Sequence, residues 1–113
     1  MSASETEIAW AAGLFEGEGS ITQSRGIVHA RLKMTDELVV RRFDEVVRYG
    51  QVYGPYNYQY SDGFVRKPFW VWVATEYDAL EVLEMLWPRL SDRRHDQALA
   101  RAPIEAILLG PTE

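Results

Sequence analysis

The chain has 113 residues, of which 47% are hydrophobic and 26% charged, a composition typical of one globular domain and not of a disordered chain. It has no cysteine, which excludes disulfides and thiolate metal sites, and its net charge of −5 argues at first against nucleic acid as a partner. No apolar run approaches the roughly 20 residues that span a bilayer. Residues 1–5 show no signal-peptide pattern, so we expect a single intracellular (cytoplasmic) domain over residues 1–113 with no membrane partner.

The first helix is the most informative segment of the chain. Ser4 and Glu7 have the spacing of a capping box, and Ile8–Phe15 contains no polar residue. This pattern predicts a helix that ends near Glu16-Gly17. A helix that is apolar on all sides is expected to be buried on more than one side, which indicates a partner helix.

The first helix carries two glycines at helical spacing and ends in two acids. Gly13 and Gly17 lie four residues apart, so they share a face on which another backbone can approach closely. Ordinary packing within one chain would use the same glycines, and that alternative stays open from the spacing alone. Glu16 and Glu18 are either a solvated helix end or a pair with a use for their charge, such as binding a cation.

From Glu18 the polarity pattern has a period of two, which predicts two strands joined at Arg25-Gly26. Even-numbered residues from Val28 to Met34 form an apolar face. The opposite face of the strand pair is polar and basic, and its side chains are Ser20, Thr22, Ser24, His29, Arg31 and Lys33.

Residues Thr35–Glu37 are typical of a helix start, and Gly50 is the predicted end of this second helix. The tyrosine-rich segment Gln51–Tyr60 and the apolar segment Phe64–Thr75 predict two further strands. Between them, Ser61–Gly63 has the composition of a hairpin turn.

The third helix is predicted to open at Thr75 and Asp78 and to stop at Pro88. Ser91 is the predicted cap of a last helix, which continues through Ala98–Leu109 and is interrupted at Pro103. The element order α-β-β-α-β-β-α-α predicts an α+β fold, in which helices cover one face of a four-stranded antiparallel sheet. The other face stays open and carries the basic strand residues.

The charge is distributed unevenly between the predicted elements. The segments that we interpret as strands sum to +3, and those that we interpret as helices sum to −8. An acidic protein of this kind can still present one cationic face to DNA.

Residues 11–19, Ala-Ala-Gly-Leu-Phe-Glu-Gly-Glu-Gly, resemble the nine-residue signature of the LAGLIDADG homing endonucleases. Gly13, Leu14 and Gly19 match the signature outright, whereas Ala11 replaces the usual leucine. The predicted αββαββα order extends the resemblance over nearly the whole chain. Residues 87–98, which end in Gln-Ala, resemble a second segment of the family.

The resemblance implies roles for four charged residues. Glu18 matches the catalytic acid that holds Mg²⁺, and Glu16 matches an acid that is chiefly structural. Arg94 matches a catalytic basic residue near the scissile phosphate, with Arg93 as the alternative if the alignment shifts by one position.

Family members with a single motif are homodimers that cleave a long, nearly palindromic site in double-stranded DNA. The resemblance therefore implies a homodimer, nucleoid-associated when bound, encoded in an intron, an intein or a phage. Its interface would consist of Ala9, Ala12, Gly13, Gly17 and Glu16. Its DNA contacts would come from the six polar strand residues, and more weakly from Tyr53, Asn57, Arg66 and Lys67 of the second hairpin.

Two alternatives remain at the level of sequence. The chain could be a cleavage-deficient relative that binds DNA or RNA, such as an intron maturase or a regulator. It could also be a dimeric scaffold whose open sheet binds protein. Glu18 and Arg94 favour cleavage, while the net charge of −5 and Ala11 favour the non-cleaving class.

Overall fold

The computed structural model describes residues 3–57 and 67–101. Their helices and strands follow the predicted order, and the α+β class is confirmed. The elements are α1 (Glu5–Glu18), β1 (Gly19–Ser24), β2 (Ile27–Met34), α2 (Glu37–Val47), β3 (Gln51–Tyr56), β4 (Phe69–Thr75), α3 (Glu76–Leu86), a 3₁₀ turn (Trp87–Arg89) and α4 (Asp92–Arg101). The predicted hairpin turn 61–63, the neighbouring positions 58–60 and 64–66, and the last helix beyond Arg101 lie outside the described residues.

The four strands form one antiparallel sheet in the order β1-β2-β4-β3, so β2 and β4 are central. In β2, the side chains of Val28, Ala30 and Leu32 are buried and the residues between them are not, as the period of two predicts. β3 is an edge strand whose register with β4 is irregular between Tyr53 and Tyr56. Pro55 lies in this stretch, where an edge strand tolerates a residue without an N–H group.

Aromatic side chains join the helices to the sheet in the core. The rings of Phe15 from α1 and Phe43 from α2 are stacked at 6.4 Å, and Phe43 meets Trp72 of β4 edge-on at 4.8 Å. The Trp72 indole N–H donates to the Tyr49 carbonyl oxygen at 2.8 Å. A Cβ atom at Gly50 would lie 2.7 Å from the same indole nitrogen, so only glycine fits beside this contact.

The helix starts follow local sequence chemistry. The Ser4 hydroxyl accepts from the Glu7 amide and the Glu7 carboxylate accepts from the Ser4 amide, which confirms the capping box. The Asp36 carboxylate caps α2 by accepting from the Val39 amide at 3.3 Å. Thr75 occupies the N-cap position of α3 as predicted, but its side chain makes no capping hydrogen bond.

The predicted helix ends were less accurate. α1 continues past the expected end near Glu16-Gly17 as far as Glu18, because the Gly19 amide still donates to the Phe15 carbonyl. α2 stops at Val47, before the predicted end at Gly50. It stops there because Arg48 adopts a left-handed conformation, with φ 65°, while its amide closes the last turn.

The predicted strand bounds also need correction. The described part of the third strand ends at Tyr56, before the predicted end at Tyr60. β4 begins at Phe69, and the preceding Lys67 and Pro68 are not in the strand, although the prediction began at Phe64. Pro68 has no N–H group to donate to a ladder, which explains why pairing starts after it.

Candidate functional site

Glu18 lies at the junction of α1 with the sheet. It is the last residue of the helix and its side chain is exposed. It lines a recess of about 380 Å³ together with Lys33, Met34, Thr35 and Phe69. The fold therefore brings the candidate acid to the end of β2 that carries a candidate basic residue.

Glu16 has a different environment from Glu18. Its two carboxylate oxygens accept from the amide and the hydroxyl of Ser91, at 2.7 and 2.8 Å, and the Arg93 guanidinium lies 3.3 Å from one of them. The hydrogen bond from the Ser91 amide holds the pKa of the Glu16 carboxyl below its usual range. Glu16 thus caps the start of α4, which fits the structural part that the resemblance assigned to it.

The two candidate arginines are placed in unequal positions. Arg94 is only 5% exposed, and its guanidinium donates to the Glu16 carbonyl oxygen and to the Gln97 side-chain oxygen. Burial lowers the pKa of this guanidinium. The Arg93 side chain is 68% exposed at the same end of α1. The expectation that Arg94 contacts the scissile phosphate therefore does not fit its position, whereas Arg93 can be reached by a large ligand.

The candidate polar residues of β1 and β2 lie together on the open face of the sheet. The register places Ser20 opposite Arg31 and Thr22 opposite His29, so their side chains share this face. Arg31 and Lys33 are exposed, as are Thr22 and Ser24. The Nδ1 atom of His29 is buried and has no hydrogen-bond partner among the residues that the structure describes.

The other half of the open face is less polar than the sequence interpretation suggested. Val73 lies between Arg31 and Gln51 in the sheet, and Val71 lies between Lys33 and Tyr53. Both valines are half-buried, and Tyr53 is 47% exposed. Sequence reasoning missed the valines, because β4 is apolar on both faces and its sequence does not show which residues face outward.

One face of α1 is open and smooth. Ala9, Gly13 and Gly17 are exposed at four-residue spacing, and a Cβ atom added at either glycine would meet nothing within 4 Å. Ala12 was expected on this interface, but it is fully buried in the chain's own core. Ala12 lies one turn from both the exposed Ala9 and the buried Phe15, so it stands at the edge of the open face, where the core covers its side chain.

The remaining candidates are peripheral. Lys67 is exposed shortly before β4, Asn57 is exposed just after β3, and Arg66 lies outside the described residues. Across residues 3–57 and 67–101, no three histidine, cysteine, aspartate or glutamate side chains are grouped as a metal cluster would require. Over the same ranges, no helix has the length and apolarity needed to cross a membrane.

Three solved structures have this arrangement of helices and strands. The homing endonuclease I-CvuI in complex with its target, in the presence of Ca, superposes with a TM-score of 0.61 at 20% identity over 84% of this chain and 63% of that one. I-CvuI with the I-CreI target, whose DNA is not cleaved in the presence of Mg, gives a TM-score of 0.64 at 17% identity over 94% of this chain and 69% of that one. The archaeal intron-encoded homing endonuclease I-Vdi141I, complexed with DNA, gives a TM-score of 0.63 at 13% identity over 94% of this chain and 71% of that one.

These likenesses define the fold as that of the homing endonucleases. The chain spans between 63% and 71% of the length of the three structures. No protein-family model matches the sequence, and no curated protein matches it.

Proposed function

We propose that this protein is a site-specific double-stranded DNA endonuclease that acts as a homodimer with Mg²⁺. The observation that carries the proposal is the position of Glu18. It is an exposed carboxylate at the end of a helix with an open small-residue face, beside a basic sheet face, in a homing-endonuclease fold.

The open face of α1 supports association of two copies. Helices approach closely where side chains are small, and Gly13 and Gly17 leave room for a second backbone. On α2, Leu38 is 80% exposed one turn before Arg42, whose guanidinium lies 4.4 Å from the centre of the Trp10 ring on α1. A second copy related by a two-fold axis would cover these surfaces and would bring the two Glu18 carboxylates together.

The donor set fits a magnesium ion only when two copies and DNA combine. Glu18 supplies a hard oxygen ligand, and the other described residues that line its recess, Lys33, Met34, Thr35 and Phe69, include no second acid. The second carboxylate would come from the other copy, and phosphate oxygens and water would complete the coordination. Glu18 would hold the ion, which would supply activation of water and stabilisation of the leaving 3′ oxygen, and Arg93 would supply positive charge to the phosphate.

The open sheet face supports DNA as the partner. A strand pair fits the major groove, where each base pair presents a distinct pattern of donors and acceptors. The exposed Arg31 and Lys33 provide positive charge on this face, while Thr22 and Ser24 provide hydroxyls beside them. The acidic helices lie on the far side of the sheet and favour this orientation through repulsion.

Selection from a randomised double-stranded DNA library tests the proposal as a whole. The protein is incubated with the library in Ca²⁺, bound DNA is recovered, and the enriched site is then exposed to Mg²⁺. We expect a nearly palindromic site that is cut in both strands. Failure to enrich any DNA would reject the proposal, and enrichment without cutting would place the chain in the cleavage-deficient class.

A further inference from the structure

The C-terminal end of α1 has a set of hydrogen bonds that local sequence does not provide. The last carbonyl groups of a helix have no intrahelical donor and carry the negative end of the helix dipole. α1 has no basic residue in its last turn. Instead, the Glu16 carbonyl oxygen accepts from Nε and Nη2 of Arg94, at 3.2 and 3.0 Å, and from Nη2 of Arg93 at 3.3 Å.

Each nitrogen of the Arg94 guanidinium donates a hydrogen bond within the protein. Its third nitrogen, Nη1, donates to the Gln97 side chain at 2.6 Å, and its guanidinium lies 5.7 Å from the centre of the Phe15 ring. Only 5% of the residue is exposed. A group that is buried and hydrogen-bonded at all three nitrogens is suited to hold a structure in place rather than to bind a transient ligand.

The contact is reciprocal between two helices that are distant in sequence. α4 gives its arginines to the end of α1, and α1 gives the Glu16 carboxylate to the start of α4 through Ser91. Each helix end thereby receives the charge that its dipole favours. We call these residues, Glu16, Ser91, Arg93 and Arg94, the helix-end clamp.

We propose that Arg94 is a positioning residue that fixes the last turn of α1 and, through it, the carboxylate of Glu18. The clamped Glu16 carbonyl lies two residues before Glu18 in the same helical turn. Two Glu18 carboxylates can share one ion only when both are held within a fraction of an ångström, so the precision of this turn sets the affinity for the metal. This role rests on the proposed function, but the order of the turn can be measured without it.

Hydrogen exchange tests the positioning role directly. Arg94→Met keeps the side-chain stem beside Phe15 and removes every hydrogen bond that the Arg94 guanidinium makes, while the bond from the residue-94 amide to the Ser91 hydroxyl is kept. We expect amides of residues 17–20 to exchange about tenfold faster in this variant, with α2 and α3 unchanged. Unchanged exchange at residues 17–20 would overturn the inference whether or not the protein cleaves DNA.

Metal dependence separates positioning from direct contact with phosphate. We expect Arg94→Met to raise the Mg²⁺ concentration for half-maximal cleavage by about tenfold, with the DNA dissociation constant in Ca²⁺ unchanged within about twofold. Arg94→Lys, which keeps the positive charge and a single donor nitrogen in place of three, should restore part of the wild-type metal dependence. A decrease of about one in the slope of log DNA affinity against log salt concentration would instead show that Arg94 contacts phosphate and would overturn the inference.

If Arg94→Met does not fold, a second variant can test the clamp, and a third serves as its control. Ser91→Ala removes one of the two hydrogen bonds that the Glu16 carboxylate accepts from Ser91, the one from the hydroxyl, at an exposed position. We expect it to shift exchange and metal dependence in the same direction by a smaller amount, because the bond from the Ser91 amide is kept. Arg89→Met removes an exposed arginine outside the clamp and should leave both unchanged. If wild type neither binds nor cuts any library DNA, the proposed function fails, while the exchange result still decides the role of Arg94.

Discussion

At the scale of single residues, the two acids of α1 have separate environments. The sequence marks both as unusual, because they follow an apolar helix. It does not show that Glu16 is tied to Ser91, since these residues are 75 positions apart and no local pattern relates them. Arg94 is 78 positions from Glu16, so no local pattern shows that it is buried against the end of α1. The resemblance to the family alone assigned Arg94 to the phosphate.

Glu16 makes a pH-dependent contribution to stability. The pKa of its carboxyl is lowered in the folded state, so its contribution is present above the unfolded-state pKa of 4.5 and is lost as the pH falls through the folded value. We expect Glu16→Gln to lower the free energy of unfolding at pH 7 by about 1–2 kcal/mol. The loss should shrink below about pH 4, as urea denaturation across a pH series would measure.

A matched control is Glu84→Gln, which removes an exposed carboxylate from α3. This change should alter stability by less than about 0.5 kcal/mol. An equal pH dependence in wild type and Glu16→Gln would contradict the assignment of the clamp.

At the scale of elements, periodicity predicted the faces of β2 but not those of β4. In β2 polar and apolar residues alternate, so the period of two is visible in the sequence. In β4 both faces are apolar from Phe69 to Ala74, which hides the alternation and left the open-face valines unassigned. Helix starts were predictable from capping chemistry, whereas helix ends depended on single backbone conformations such as that of Arg48.

The basic half of the open face predicts a salt-dependent contact with DNA. We expect Arg31→Gln to weaken binding at every salt concentration and to reduce the slope of log affinity against log salt by about one. Fluorescence anisotropy with the selected site, titrated between low and moderate salt, measures both quantities.

Arg41→Gln on α2 is the control for this change. Arg41 is exposed and paired with Glu37 at 2.7 Å, on a helix away from the open face. Its loss should leave the slope unchanged, and equal effects of the two variants would place DNA elsewhere on the molecule.

At the scale of the whole molecule, the proposed function requires that one copy present half of a site. The chain spans about two thirds of the length of the solved homing endonucleases whose fold it has. Glu18 is the last residue of α1, and the open face of Ala9, Gly13 and Gly17 lies on the same helix. The sequence predicted this face through glycine spacing, but it included Ala12 because spacing alone does not show which side of a helix faces the core.

The proposed dimer predicts that Gly17→Ala has opposite effects on the stability of the single chain and on the association of two chains. In an isolated chain, Gly17→Ala should stabilise by about 0.5–1 kcal/mol, because alanine favours a helix and nothing obstructs its Cβ atom. In the dimer the added Cβ atoms separate the helices, so we expect the dissociation constant to rise by about tenfold. Analytical ultracentrifugation over a concentration series, combined with thermal unfolding at low concentration, measures the two effects.

Gly19→Ala provides the contrasting case. Its Cβ atom would lie 2.5 Å from the Phe15 ring, so this variant should lose stability within the single chain. A wild-type protein that stays monomeric at micromolar concentration would contradict the dimer.

A comparison of DNA cleavage by wild type and Glu18→Gln tests most directly whether Glu18 is the metal-binding acid of a DNA endonuclease. The affinity of each protein for the selected DNA is first measured in Ca²⁺. Both proteins are then mixed with that DNA in Mg²⁺, at concentrations that saturate it. We predict that wild type cuts both strands and that Glu18→Gln loses activity by roughly a hundredfold or more while still binding the site. Equal cleavage by the two proteins would contradict the account, because Glu18 would then have no part in the reaction.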